Sequence, residues 1–316
     1  MPDDHAKSLF PPAESLGRRG FLGASAAAGY TLAAGPVQAQ TIVRTDTAGL
    51  SAGDVVIQTP TGPMGGYRAK PATGSSHPVV VVMMEVFGLH EWIKDVCRRF
   101  AKAGYLAVAP DYYFRQGKLE GATDFQTQIA PIVMRKPDDE LISDLDATIA
   151  FAGSDGGDLA RVGVTGFCRG GRNTIVYAAE STKARAAVAW YGGNLLTTNE
   201  FMNRKPIDLA ARIRMPLLGL YAGDDPGIPP DQVEMLKAAL AKSGQKWDLV
   251  VYPGAKHGFL ADYRPAYSAE ASAAAWPRLL FDLLCSQVVL AVVTPWCFAL
   301  HVRSLALCGA GRPEAA

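Results

Sequence analysis

Apolar and polar positions along this chain follow two periods, and the switches between them outline a layered domain. Residues 54–59 and 66–69 read as two short strands joined through Pro60-Thr61-Gly62-Pro63, which predicts an antiparallel pair. Residues 78–84 form an unbroken β-branched and Met run, the pattern of a strand covered on both faces. Helical periodicity takes over at 91–103 and is closed by Gly104. A strand at 105–109 ends in Pro110-Asp111, and Pro137 opens a helix that reaches 152. Further strands are expected at 161–165, 184–190, 217–222 and 249–252, with helices at 173–180, 230–243 and 265–284. Strands alternating with helices give the α/β class: a mostly parallel central sheet with helices on both faces. Residues 111–136 carry neither period and offer a cap over one edge of that sheet.

The chemistry concentrates where the 161–165 strand meets its helix. Gly166-Phe167-Cys168-Arg169-Gly170 has the layout of a nucleophile elbow with Cys in place of Ser. So tight a turn leaves little room for side chains at 166 and 170. It also presents Cys168 at a helix N-terminus, where unpaired N–H groups favour a thiolate and a developing oxyanion. The plainer alternative is a buried cysteine in a Gly-rich turn. Two other strands are followed by loops with an acid, Asp224-Asp225, and a histidine, His257. The order nucleophile, acid, base is that expected of an α/β-hydrolase fold. A His can take or hold the thiol proton while a carboxylate fixes its tautomer.

These segments resemble the dienelactone hydrolase family over residues 54–284. The resemblance rests on Gly-Phe-Cys-Arg-Gly-Gly at 166–171, Glu-Val-Phe-Gly-Leu at 85–89, Ala-Pro-Asp-Tyr-Tyr-Phe-Arg at 109–115, Asp-Pro-Gly-Ile-Pro at 225–229 and His-Gly-Phe at 257–259. It implies a Cys-His-Asp triad of Cys168, His257 and Asp225, which opens enol lactones such as carboxymethylenebutenolide through a thioester. Asp225 rather than Asp224 matches the family's acid, four residues before Pro229. By the same resemblance Glu85 helps to generate the thiolate once substrate is bound, and Arg115 meets the substrate's carboxylate. The backbone N–H groups of Arg169 and Val86 form the oxyanion hole. The family's second carboxylate-binding Arg falls on Ala261, for which Arg264 is a substitute, and Tyr191 is a candidate substrate contact. Three readings of function remain: a small-ester or lactone hydrolase, a broader esterase, thioesterase or acyltransferase on the same triad, and a non-catalytic binding protein of this fold.

Composition narrows the setting. The chain has 316 residues, 49% hydrophobic, with a net charge of +1. Nothing in that balance calls for nucleic acid. The five cysteines and five histidines show no metal-site spacing, and neither a metal nor a cofactor is expected. The expected partner is a small-molecule ester or lactone, and a monomer is favoured. Arg18-Arg19-Gly20-Phe21-Leu22, an apolar stretch to residue 34 and Val37-Gln38-Ala39 predict a twin-arginine signal peptide over 1–39, hence periplasmic export. Residues 40–53 read as a linker. The apolar tail at 285–316 fits no hydrolase element. It reads as a membrane anchor over 279–302, an extra packed segment, or, the preferred reading, a frame-shifted gene end.

Overall fold

The structure is a computed structural model that describes residues 44–287. The expected signal segment at 1–39 and the tail beyond 287 lie outside these residues. Eight strands form one sheet in the order β1-β2-β4-β3-β5-β6-β7-β8. Strands β1 (Leu50–Thr59), β2 (Gly62–Pro71) and β4 (Leu106–Pro110) pair antiparallel. From β4 through β3 (His77–Met83), β5 (Gly157–Phe167), β6 (Ala186–Trp190), β7 (Leu217–Ala222) and β8 (Trp247–Tyr252), every pairing is parallel. Five helices cover it: α1 (Glu91–Lys102), α2 (Asp138–Ser154), α3 (Arg169–Glu180), α4 (Pro230–Leu240) and α5 (Ala269–Gln287).

The hydrophobic pattern explains the layers. Val79 through Met83 of β3 are fully buried, because the central parallel strands are covered on both sides. Helix α1 buries Trp92, Ile93, Val96, Cys97 and Phe100, a stripe at helical spacing. It stops where Gly104 turns to φ +96°, with the Tyr105 amide closing back on the Phe100 carbonyl at 3.1 Å. Helix α3 is buried at every residue from Arg169 to Ala179, so it lies inside the molecule rather than on its surface.

Several boundaries differ from the sequence reading. Strand β1 starts at Leu50, and the chain before it is already anchored. The Thr45 amide reaches Asp95 Oδ1 at 2.5 Å, and its carbonyl accepts from Arg98 Nε at 2.9 Å. Residues 45–53 are therefore part of the domain and not a linker. The pattern hid this because Ser51, Ala52 and Gly53 lie in an edge strand with little apolar alternation. Helix α3 begins directly after Cys168 rather than at 173, although it starts Arg-Gly-Gly; tertiary packing overrides the poor propensity of glycine. Helix α5 begins at Ala269, with Ser268 Oγ accepting from the Ala271 amide at 3.3 Å, which leaves 257–268 as a loop. Residues 111–136 contain a π-helical turn, Phe125–Ile129, and a short helix, Ala130–Val133, that bury Phe125, Ile129 and Val133.

Parallel register brings the strand ends into line. Met83 pairs with Gly166, Phe167 with Trp190, Trp190 with Leu220 and Ala222 with Tyr252. The loops after β3, β4, β5, β6, β7 and β8 thus emerge along one carboxyl edge. There the strand order reverses about β3, the usual crevice of an open α/β sheet.

Candidate active site

Cys168 occupies the turn between β5 and α3 at φ +57°, a left-handed conformation costly for a non-glycine residue, about 1–3 kcal/mol. Neighbouring packing holds it there. The Cys168 amide donates to the Trp190 carbonyl at 3.1 Å, and the Gly171 amide donates to the Cys168 carbonyl at 3.0 Å. A Cβ at Gly166 would collide with the Gly170 carbonyl, and one at Gly170 with the Met83 carbonyl, so both positions need hydrogen as the side chain. Cys168 itself is buried.

Asp225 and His257 reach this turn from β7 and β8. His257 Nδ1 lies 2.6 Å from Asp225 Oδ2, and Asp225 Oδ1 accepts from the Gly227 amide at 2.8 Å. Asp224 is exposed and only its amide is used, bonding the Ala255 carbonyl at 2.9 Å, which ties the two loops together. Burial alone would keep His257 neutral. The charge of the adjacent Cys168 sulfur and the bond to Asp225 outweigh it and push its pKa up to about 10. Tyr191, at φ +36° beyond β6, sets its ring edge-on to the imidazole with centroids 5.0 Å apart.

Glu85, fully buried past the end of β3, belongs to a second cluster. Arg264 Nη2 is 3.0 Å from its Oε1, the Tyr263 hydroxyl donates to its Oε2 at 2.6 Å, and His90 Nε2 stands 3.5 Å from the same oxygen. Arg264 Nε also donates to the Tyr263 hydroxyl at 3.0 Å, and its guanidinium stacks 4.7 Å from the Phe87 ring. Burial would raise the Glu85 pKa; the Arg264 charge and the His90 and Tyr263 contacts bring it down to about 2. Burial and then the charge of Glu85 drive the Tyr191 hydroxyl well above its usual pKa. A cleft of about 790 Å³ opens beside the second cluster, with Phe87, His90, Tyr263, Asp111 and residues 119–123 among its walls. The 111–136 segment thus contributes to a cavity wall.

The structure therefore brings Cys168, Asp225 and His257 together and sets Glu85, Arg264 and Tyr191 beside them. Arg115 is held elsewhere. It forks onto Asp144 of α2 at 2.8 and 3.0 Å and onto Thr59 at 2.9 Å, and none of these bonds involves Cys168, His257 or Glu85. The cause is the buried acid on α2. Asp144 collects both Arg115 and Lys136, the latter at 2.6 Å. Val86 is buried on the turn after β3, and Arg169 is the first residue of α3, so both N–H groups belong to turns flanking Cys168. Tyr263 and His90 were missed by the sequence reading. The only signal for them was an aromatic next to Arg264 and a histidine five residues after Glu85.

The sequence model of the dienelactone hydrolase family matches residues 64–284. A protein of Methylorubrum extorquens, provisionally named a carboxymethylenebutenolidase, is 47% identical over 84% of this chain and 91% of its own length. One of Escherichia coli K12 with the same provisional name is 42% identical over 80% of this chain and 93% of its own. A crystal structure from Klebsiella pneumoniae, provisionally described as a dienelactone hydrolase, superposes with a TM-score of 0.73. It is 40% identical and covers 74% of this chain and 98% of that one. The matched segment carries every side chain of both clusters, and on this ground the chain belongs to the dienelactone hydrolase family, with the α/β-hydrolase fold.

Proposed function

We propose that the protein hydrolyses a small carboxylic ester or lactone through a thioester on Cys168. The observation that carries the reading is the His257–Asp225 bond of 2.6 Å beside a cysteine on a strained strand-to-helix turn. The Cys168 thiolate attacks the carbonyl carbon, and the oxyanion that forms is met by the Arg169 and Val86 N–H groups. As the C–O bond breaks, the imidazolium of His257 passes its proton to the leaving oxygen, which in a lactone stays tethered to the acyl group. His257, now neutral, takes a proton from water. The resulting hydroxide attacks the thioester, and the carboxylic acid leaves as the thiolate–imidazolium pair is restored. Asp225 keeps the imidazole in the required tautomer throughout. Glu85 assists thiolate formation only after exchanging Arg264 and Tyr263 for the thiol, so its part belongs to the substrate-bound state.

A stoichiometric burst of p-nitrophenol from p-nitrophenyl acetate, with an acetyl mass increment on the peptide containing Cys168, is the expected result. Turnover without a burst, or an increment elsewhere, overturns the reading. The twin-arginine pair Arg18-Arg19 supports a companion proposal, export to the periplasm. Cell fractionation of wild type against an Arg18→Lys/Arg19→Lys chain tests it: uncleaved wild-type protein in the cytoplasm contradicts export.

A further inference from the structure

Among the described residues, the buried basic side chains are matched to acids with one exception. Arg98 meets Glu91 and Asp95, Lys136 meets Glu140 and Asp144, Arg172 meets Asp138, and Arg264 meets Glu85. Arg169 is 2% exposed, forms no ion pair, and leaves its Nε and Nη1 without a hydrogen-bond partner. An unpaired guanidinium in an interior is costly, and such a group persists where something else supplies the counter-charge.

Its position says what that could be. Arg169 follows Cys168 directly and opens α3, a helix of twelve residues whose first N–H groups add a positive field. The loop after β4 packs against this helix, Asn173 Nδ2 of α3 donating to the Tyr112 hydroxyl at 3.5 Å. The Tyr112 hydroxyl there donates to the Met84 carbonyl at 2.9 Å, and the buried Tyr113 hydroxyl has no hydrogen-bond partner of normal geometry. Burial raises the pKa of Tyr113 to about 12, with the Arg169 charge opposing and the Cys168 charge adding to it, so both act on one hydroxyl. Meanwhile Arg115, which the resemblance assigns to a substrate carboxylate, is already neutralised by Asp144, and Arg264, the substitute for the position that falls on Ala261, by Glu85.

We propose that the Arg169 side chain is the anchor for an anionic group of the substrate, a carboxylate held between its guanidinium and the Tyr113 hydroxyl within reach of the Cys168 sulfur. The fork of a guanidinium suits a carboxylate, and the Arg169 Nε and Nη1 have no hydrogen-bond partner of their own. Substitution of the side chain leaves the Arg169 backbone N–H in place, so anchoring and oxyanion binding are separable. The proposal rests on the Cys168 hydrolase reading, but its test has a readout that does not.

The first measurement compares kcat/KM for mono-p-nitrophenyl glutarate, which is anionic, with that for p-nitrophenyl acetate, which is neutral. In Arg169→Met the anionic-to-neutral ratio is expected to fall on the order of 100-fold, carried by KM, with partial recovery in Arg169→Lys. An unchanged ratio overturns the proposal, and equal losses on both esters assign Arg169 to the thiolate instead. The second measurement is thermal unfolding with added glutarate. Wild type should be stabilised and Arg169→Met should not; absence of the shift in wild type overturns anchoring even if the protein turns over neither ester. A wild type that binds glutarate yet hydrolyses neither ester strikes the hydrolase reading alone.

Discussion

Cys168, Asp225 and His257 stand on turns that follow β5, β7 and β8; backbone bonds tie the last two loops to each other and the Cys168 turn to the end of β6. Glu85, His90, Tyr263 and Arg264 are assembled differently. They come from the end of β3 and from the long loop before α5, and the buried Glu85 carboxylate holds them through its ion pair with Arg264 and its contacts with Tyr263 and His90. The first group owes its geometry to the sheet and the second to charge. The difference teaches where each will fail. A group positioned by strands can lose a side chain without losing its frame, whereas a group positioned by paired charges loses its frame with either partner.

The sharpest test of this contrast is Cys168→Ala. Turnover should fall on the order of 10⁴-fold or more, with a melting temperature close to wild type, because Trp190 and the glycines and not the sulfur hold the turn. Activity assays beside calorimetry check it; a collapse of stability would erase the distinction between the two groups.

Arg264→Met should do the reverse. It leaves the Glu85 carboxylate buried without its ion-pair partner and is expected to cost about 3–5 kcal/mol in urea unfolding. Adding Glu85→Gln should restore much of the loss, since a neutral pair needs no counter-charge. Additive losses in the double variant would show that the pair is not coupled.

The pH dependence follows from Glu85. Its folded pKa, near 2, lies below the usual carboxylate value, so its contribution is present above about pH 4.5 and is lost as pH falls toward 2. The stability gap between wild type and Glu85→Gln should therefore be widest near neutrality and narrow with acid. A gap constant from pH 7 to pH 3 would mean that Glu85 is not held ionised by Arg264.

The smallest effect is expected at Arg115. Asp144 keeps Lys136 when Arg115→Ala removes its other partner, so the loss should be about 1 kcal/mol, or 2–4 °C in melting temperature. A loss as large as that of Arg264→Met would place Arg115 among the frame-setting charges.

The same contrast explains what could be read from the chain beforehand. The elbow, the acid and the histidine each follow an apolar run that can only be a strand, so their order and common edge were visible. Asp225 was separable from Asp224 by its distance to Pro229, and the structure buries the one and exposes the other. Arg115 shows where reading stops. Its motif was plain, but Arg115 lies in a loop and its partner Asp144 29 residues on in helix α2, and no local pattern announces that pairing. Arg264 and Glu85 are 179 positions apart and were linked to the substrate and to the Cys168 thiol respectively, not to each other. Residues 45–53 failed for another reason: Thr45 is held through its backbone by the Asp95 and Arg98 side chains of α1 and 50–53 by pairing with β2, and neither leaves a hydrophobic trace.

The bond from the Cys168 amide to the Trp190 carbonyl has one more consequence. It makes the direction of the sulfur a property of two adjacent strands, independent of the loops that surround it. A loop that carries none of the paired charges can then be exchanged without re-aiming the Cys168 sulfur. A protein engineer seeking new specificities should accordingly randomise 116–123, part of which walls the cleft, and leave 85–90, 166–171, 190 and 258–268 untouched. In such libraries altered selectivity should be common and loss of the reactive thiol rare.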